Sequence, residues 1–208
     1  MEQKTQHLIS ISRQLGSGGA YVGQQLAKRL NIVYIDREII CKAAQKFSVL
    51  EEDLESRDEK VLSYWQSFIQ ISALSPDVYV PPQKRIIPTD FELFKAETEI
   101  IRHFAKEHSS VIIGRCGFHI LRDYPNHVSI FLHGDVASRS KRIQNLYNIT
   151  EKEADKMIAQ SDKDRAFYIN TFTGKEWTDA REYDLSIDTG KIDVDKSVEL
   201  ILNYLKIK

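Results

Sequence analysis

Apolar residues follow two patterns along this chain, and each pattern predicts a kind of element. Short runs that are apolar at almost every position predict strands, whereas apolar residues that recur every three or four positions predict the buried face of a helix. Five runs are predicted to be strands: residues 7–12, 32–35, 110–114, 128–132 and 183–188. Because these runs do not alternate with polar residues, both faces of the sheet are expected to be covered, as in a parallel sheet.

Helices are predicted between the strands. In the first, Val22, Leu26 and Leu30 recur every four residues, and the last carries a regular apolar stripe from Val194 to Leu205. The alternation of strands and helices predicts an α/β fold with a parallel sheet between two helical layers. Ligands of such sheets bind at the carboxyl ends of the strands. Polar residues that follow the predicted strands are therefore the first candidates for a site.

Four helical segments carry more detailed expectations. Residues 38–74 are predicted to be helical, and residues 75–88, which hold four of the five prolines, are predicted to be irregular. A helix capped by Thr89 or Asp90 is expected next, with Leu93, Ala96, Ile100, Phe104 and Ala105 on its buried face. The helix after Asp135 is expected to turn Val136, Ile143, Leu146 and Tyr147 inward, and Arg139, Lys141 and Arg142 largely outward. Residues 150–153 fit a capping box.

Composition places the chain among ordinary globular proteins. It has 208 residues, 42% hydrophobic and 28% charged, with a net charge of −1, which suits one domain and favours neither nucleic-acid nor membrane binding. Cys41 and Cys116 form no CxxC pair, so reduced thiols are expected. The polar first residues lack the apolar segment of a signal peptide, and no run of about 18 apolar residues occurs. These features predict a cytoplasmic protein.

A Gly-rich turn lies between the first predicted strand and the first predicted helix. Glycine lets the backbone approach a phosphate closely, and the start of a helix adds N–H donors and a positive dipole end. The predicted donor-phosphate site consists of Arg13, Gly16, Ser17, Gly18, Gly19, Ala20 and Tyr21. Against the pattern G-x-x-x-x-G-K-[ST], Gly19 and Ala20 replace the lysine and the hydroxyl residue, and Ser12 or Arg13 replaces the first glycine. Arg13 is the nearest alternative cation.

Arginines are concentrated where the fold is expected to bind ligands. Arginine is permanently charged and can hold phosphate oxygens through two N–H groups at once. The candidates are Arg37, Arg115, Arg139, Arg142 and Arg165; the alternative for each is an ion pair with a surface carboxylate. Asp36 ends a predicted strand, where it can cap a helix, accept from a substrate hydroxyl, or accept from a metal-bound water.

A series of collinear motifs resembles the cytidylate kinase-like family, a branch of the P-loop nucleoside monophosphate kinases. The motifs are residues 9–13 with 16–19, 34–40, 111–115, 130–132, 162–168, 173–177 and 183–189. The resemblance covers nearly the whole chain. It implies a three-layer P-loop fold in a single domain, 1–208, with a nucleoside monophosphate lobe at 38–90 and a mobile lid at 142–173.

The resemblance also implies an activity and roles for the candidate residues. It implies ATP and Mg²⁺ as cofactors and a nucleoside monophosphate, CMP or dCMP, as acceptor. Arg115 resembles the arginine that holds the acceptor nucleotide, Arg139 or Arg142 resembles the arginine that opens the lid, and Arg165 resembles the first of two lid arginines. A kinase with these features would bind its acceptor through Asp36, Arg37 and Arg115 and would close Arg139, Arg142 and Arg165 over the transferring phosphoryl group. No residue is assigned to a metal. Besides the missing lysine and hydroxyl residue of the Gly-rich turn, two further positions depart from the family pattern: Cys116 replaces an aspartate and Phe167 replaces a second lid arginine.

Two alternatives remain open from the sequence. The missing lysine also suits a module that binds a nucleotide or another phosphorylated metabolite without transferring a phosphoryl group. The proline-rich residues 76–88 could instead shape a pocket for another small hydroxyl acceptor. Tyr64, Trp65, Phe68 and Tyr79 could form an apolar patch, so a homodimer is possible.

Overall fold

A five-stranded parallel sheet forms the centre of the protein. The structure is a computed structural model that describes residues 7–36, 40 and 88–207. Its strands are β1 (Leu8–Arg13), β2 (Val33–Ile35), β3 (Ser110–Ile113), β4 (His127–His133) and β5 (Leu185–Asp188), in the spatial order β2-β3-β1-β4-β5. The parallel sheet is confirmed, and each strand boundary lies within two residues of its prediction.

The strand β1 is the middle strand, and its register aligns the carboxyl ends of its neighbours. Ile11 lies beside Ile113 of β3 and Ile130 of β4. All three side chains are at most 1% exposed, as expected for a sheet covered on both faces. The residues that directly follow these strands therefore emerge together at one edge of the sheet.

Helices cover the sheet on both sides and complete three layers. They are α1 (Gly19–Leu30), α2 (Pro88–Glu107), α3 (Gly117–Ile120), α4 (Val136–Tyr147), α5 (Glu151–Thr173) and α6 (Val194–Ile207), with a 3-10 turn at Ala180–Glu182. One core packs α1 and α6 against the sheet through Val22, Leu26 and Ile201. The opposite core contains Phe104 of α2 and Phe118 of α3. Each such buried side chain contributes about 1.5–3 kcal/mol of hydrophobic stabilisation.

The orientation predicted for α4 is partly wrong. Val136 and Leu146 are 51% and 55% exposed, whereas Arg139 is only 3% exposed. The reason is that α4 packs against the Gly-rich turn and α5 rather than against the sheet, through Ile143, which joins Leu15 in a small separate cluster. Arg139 lies on the same inward face of α4, where polar groups accept hydrogen bonds from its guanidinium group.

Helix ends follow the sequence signals in some places and depart from them in others. The capping box of Thr150 and Glu153 is confirmed at the start of α5. That helix continues through Phe167 to Thr173 and ends at Gly174, whose φ is +67°. The helix α2 already includes Pro88, so the prediction that Thr89 or Asp90 caps it is wrong; proline is favoured in a first turn, where its missing N–H is not needed.

Several predictions lie outside the described residues. Arg37 is one of them, and so is the predicted lobe at 38–90 apart from Ile40 and residues 88–90. The proposed apolar patch of Tyr64, Trp65, Phe68 and Tyr79 also falls there. In the part of the chain that the structure describes, no helix is both long enough and apolar enough to cross a membrane.

Candidate phosphate-binding site

The Gly-rich turn closes on itself at the carboxyl end of β1. The hydroxyl and the N–H of Ser17 both donate to the carbonyl of Gln14, at 2.8 and 3.2 Å. Gly16 and Gly18 have φ values of +80° and +79°, a region that costs other L-residues about 1–2 kcal/mol. The turn therefore requires glycine at these two positions whether or not a ligand binds.

The start of α1 is left without a capping side chain. Gly18 occupies the N-cap position and makes no side-chain hydrogen bond to the helix, and the first turn holds no acidic residue. By helix geometry, the N–H groups of Gly19, Ala20 and Tyr21 have no partner four residues back. Donors at a positive dipole end suit an anion such as a phosphate. The residues present therefore fit the phosphate chain of a nucleotide.

Arginines from α4 and α5 bind the carbonyl groups of the turn. Arg139 donates from Nη1 to the carbonyl of Leu15 at 3.4 Å, and Arg142 donates from Nη1 to that of Gly16 at 3.2 Å. Arg165 donates from Nη1 to the carbonyl of Arg13. In a planar trans peptide the carbonyl and the following N–H point in opposite directions. Holding the Leu15 carbonyl on the arginine side therefore turns the N–H of Gly16 away from it.

Two of these arginines differ in how their charge is compensated. Arg139 forms an ion pair with Asp162 at 2.9 Å and also donates from Nε to the carbonyl of Gly134 at 2.9 Å. Arg142 instead donates to the hydroxyl of Thr189 at 3.0 Å and to the carbonyl of the same residue. Among the described residues, no carboxylate pairs with Arg142. Its positive charge is thus held beside the turn by neutral groups.

A glutamine completes the contacts beneath the turn. The side-chain oxygen of Gln14 accepts from the N–H of Gly134 at 3.2 Å, and its side-chain nitrogen donates to Asp162 at 3.5 Å. Asp162 therefore receives bonds from both Gln14 and Arg139. This network joins β1, α5 and the segment after β4, and it fixes the turn relative to the sheet.

A second polar cluster lies at the carboxyl end of β3. Arg115, with φ +50°, forms an ion pair with Glu97 of α2; their side chains are 8% and 1% exposed. The guanidinium carbon lies 4.8 Å from the centre of the Tyr168 ring, and the Tyr168 hydroxyl donates to the second oxygen of Glu97 at 3.3 Å. Burial raises the pKa of Tyr168 well above its usual range. Arg115 is thus held by protein groups on two helices.

The thiol of Cys116 belongs to the same cluster. Burial raises its pKa to about 12, Arg115 opposes that rise, and Glu97 adds to it. A buried thiol with such a pKa stays protonated and is a poor nucleophile at neutral pH. Cys116 therefore supplies no anionic acceptor of the kind that the aspartate of the family pattern would supply.

Asp36, Ala20 and Tyr21 are predicted site residues that lie at the same edge of the sheet. Asp36 follows β2, and its carbonyl accepts the N–H of Ile40 at 3.2 Å. Ala20 is buried in α1, whereas Tyr21 is 42% exposed and donates its hydroxyl to Asp195 at 2.7 Å. That bond is the main cause of the raised pKa of Tyr21. The side chain of Tyr21 is therefore turned towards α6.

Sequence reasoning missed the groups that hold the arginines. Glu97, Gln14, Asp162 and Thr189 were not predicted as site residues. A signal existed for Glu97, which lies between Leu93 and Ile101 on the apolar face of α2. A carboxylate on such a face needs a buried partner. Within residues 7–36, 40 and 88–207, no three His, Cys, Asp or Glu side chains lie together so as to hold a metal ion.

The strand order and the Gly-rich turn before α1 define a P-loop type of α/β fold. A model of the cytidylate kinase-like family matches residues 8–191, and the chain belongs to this family. A cytidylate kinase of Sulfurisphaera tokodaii is 23% identical over 206 residues, which cover 97% of this chain and 98% of that enzyme. Cytidylate kinases of Saccharolobus islandicus strains are 26% identical over 124 residues, or 59% of this chain and 65% of theirs.

Solved structures agree with the fold. An uncharacterized protein from Eubacterium ventriosum has a TM-score of 0.73 at 29% identity, over 98% of this chain and 100% of that one. A shikimate kinase from Bacteroides thetaiotaomicron has a TM-score of 0.51 at 13% identity, over 96% of this chain and 98% of that one. The second similarity shows the fold alone.

Proposed function

We propose that this protein is an ATP-dependent nucleoside monophosphate kinase whose acceptor is CMP or dCMP. The observation that carries the proposal is the uncapped start of α1 beside a turn whose carbonyls are bound by Arg139, Arg142 and Arg165. Membership of the cytidylate kinase-like family supports a nucleotide kinase. The choice of CMP rests on the names of relatives that are at most 26% identical.

The donor phosphates bind to the backbone N–H groups of residues 16–21, with Arg13 as the nearest cation. Mg²⁺, when bound with ATP, would neutralise part of the charge of the donor phosphates, and no residue of this chain is assigned to it. Arg142 and Arg165 act on the transferring phosphoryl group. Arg139, which is buried and paired with Asp162, is a positioning residue that holds the turn. The lid at 142–173 is the segment that carries two of these arginines.

The chemical step needs little from the protein beyond position and charge. An oxygen of the acceptor phosphate forms a bond to the γ-phosphorus of ATP, while the bond from that phosphorus to its bridging oxygen breaks. ADP leaves, and a nucleoside diphosphate forms. A phosphate oxygen that is already ionised has no proton to lose, so no general base is required.

The acceptor binds at the carboxyl ends of β2 and β3, beside Asp36 and Arg115. The roles of Arg37 and of the lobe at 38–90 stay predictions, because apart from Ile40 and residues 88–90 they lie outside the described residues. A guanidinium group has five N–H donors, so Arg115 can bind Glu97 and an acceptor phosphate together. Glu97 and Tyr168 then orient the guanidinium group of Arg115, which binds the acceptor phosphate.

The test is ADP release from Mg-ATP in the presence of a panel of nucleoside monophosphates and small hydroxyl compounds. Turnover with CMP or dCMP is the expected result. Turnover only with a small hydroxyl compound would show that the acceptor is such a compound and not CMP or dCMP. Nucleotide binding without turnover on any acceptor would indicate a binding module instead.

The variant Arg165→Ala tests the assigned role of the lid. It is expected to lower turnover by about 100-fold while the KM for the acceptor changes only a few-fold, because an interaction made only in the transition state affects turnover. Arg181→Ala is the matched control, since that side chain is 89% exposed and pairs with Asp179. Equal losses in turnover and acceptor binding would count against the lid role.

A further inference from the structure

The side chain of Arg13 crosses the start of α1 in the space that a side chain at position 19 would need. A Cβ atom placed on Gly19 would lie 2.5 Å from Cγ of Arg13 and 2.7 Å from its Cβ. Non-bonded carbon atoms normally stay about 3.5–4.0 Å apart. With Arg13 in place, position 19 therefore has no room for any side chain.

A second glycine accommodates the other end of Arg13. The nearest heavy atom to a Cβ placed on Gly114 would be Nη1 of Arg13. Gly114 follows β3, which pairs with β1, and its φ is +74°. The half-buried Arg13 therefore extends from the start of α1 to the carboxyl end of β3. Its guanidinium group lies between the predicted donor and acceptor sites.

The same two positions are the ones where the sequence departs from the phosphate-loop pattern. In G-x-x-x-x-G-K-[ST], the first glycine corresponds to Arg13 and the lysine to Gly19 when Gly18 is the second glycine. The chain thus has a cation where the pattern has glycine, and glycine where the pattern has its cation. In the structure these two positions are in direct contact, because the Arg13 side chain fills the space at position 19.

We propose that Arg13 takes the place of the phosphate-loop lysine and binds the terminal phosphates of a nucleoside triphosphate. Gly19 and Gly114 are positioning residues that make room for it. This inference rests on the proposed function, because its probe is Mg-ATP. A guanidinium group can hold two phosphate oxygens at once, whereas a lysine ammonium acts as a point charge.

A reciprocal exchange tests the coupling through the affinity for Mg-ATP, measured by calorimetry. Arg13→Gly removes the cation and should weaken binding at least tenfold. Gly19→Lys should also weaken it at least tenfold, because the new side chain collides with Arg13. The double variant Arg13→Gly/Gly19→Lys restores the G-x-x-x-x-G-K pattern and should bind at least fivefold more tightly than either single variant. If the two substitutions instead damaged the structure independently, their unfavourable effects on the free energy of Mg-ATP binding would add in the double variant.

Adenosine and inorganic tripolyphosphate separate a phosphate contact from general damage. Arg13→Gly should weaken tripolyphosphate binding as much as Mg-ATP binding and leave adenosine binding unchanged. Arg29→Ala, which removes an exposed arginine from the other end of α1, is the matched control and should change neither affinity. Equal tripolyphosphate affinity in wild type and Arg13→Gly would overturn the inference.

Thermal unfolding of every variant shows whether it is folded. If Gly19→Lys does not fold, Gly19→Ala is compared in the wild-type and Arg13→Gly backgrounds. It should weaken Mg-ATP binding only where Arg13 is present, and equal weakening in both backgrounds would overturn the coupling. A wild type that binds Mg-ATP while Arg13→Gly binds equally well overturns this inference alone. A wild type that does not bind Mg-ATP overturns the proposed function together with it.

Discussion

Arginines at two places on the carboxyl edge of the sheet are held by different kinds of partner. Beside the Gly-rich turn, Arg142 donates to the backbone carbonyls of Gly16 and Thr189. At the end of β3, Arg115 is paired with the carboxylate of Glu97. A carbonyl is a neutral dipole, so it fixes the position of an arginine and leaves its charge in place, whereas a carboxylate cancels that charge.

The difference indicates which arginines add positive charge at the donor-phosphate site and which are paired with a carboxylate of the protein. Arg142 keeps its positive charge beside the turn, which suits the several phosphates of a donor nucleotide. The Arg115 cluster is a buried ion pair, whose main requirement is that both partners be present. Arg139 lies in the first region but resembles the second, because it is 3% exposed and paired with Asp162.

The largest expected effect is a loss of stability when Glu97 is removed. Glu97→Ala leaves the buried Arg115 without its carboxylate, so the free energy of unfolding should fall by about 3–5 kcal/mol. Urea denaturation measures the loss. The double variant Glu97→Leu/Arg115→Met should regain most of it, because an apolar pair needs no charge compensation. A loss below about 1 kcal/mol would show that the Arg115 cluster is not a buried charge pair.

A smaller effect is expected when Arg139 and Arg142 are compared. Arg139→Ala should lower the free energy of unfolding by about 2–3 kcal/mol, since a charged donor is lost from two carbonyls and from Asp162. Arg142→Ala should lower it by only about 1 kcal/mol and weaken Mg-ATP binding about tenfold. Urea denaturation compares the stability of the two variants, and calorimetry compares their affinity for Mg-ATP. If Arg142→Ala binds Mg-ATP as tightly as the wild type, an arginine that is bound by carbonyls does not supply the positive charge that holds the donor phosphates.

The sheet could be predicted from the sequence because its signal is local. Continuous apolar runs such as residues 110–113 predict buried strands, and the alternation with helices predicts a parallel arrangement. The Gly-rich turn could also be predicted, since Gly16 and Gly18 precede an amphipathic helix. The motifs identified the family for the same reason, because they occur in order along one chain.

The partners of the arginines could not be predicted, because they depend on contacts between distant elements. Arg139 was expected to face outward, but α4 packs on the turn and on α5, and this brings Arg139 to Leu15 and Asp162. Spacing held a partial signal, since Arg139 and the buried Ile143 are four residues apart on one helical face. The acceptor role of Arg115 stays a prediction, and no local pattern in the sequence pairs Arg115 with Glu97.

The smallest expected effect tests how fully Glu97 cancels the charge of Arg115. In a Cys41→Ser background, native Cys116 should react with iodoacetamide at pH 9 much more slowly than the unfolded chain, because burial raises its pKa to about 12. An uncompensated Arg115 would lower that pKa, so Glu97→Gln should speed the reaction.

The raised pKa of Cys116 also predicts that stability depends on pH. Above pH 9 the unfolded state binds fewer protons than the native state, and stability should fall as the pH rises to about 12.

The difference in stability between this protein and its Cys116→Ala variant isolates that pH effect from other titrating groups. The difference should be constant below about pH 8 and should change by at most about 1.4 kcal/mol per pH unit above pH 9. A native thiol that reacts as fast as the unfolded one would mean that Arg115 activates Cys116 despite Glu97. The cluster at β3 would then retain positive charge, and its contrast with the carbonyl-bound arginines of the turn would disappear.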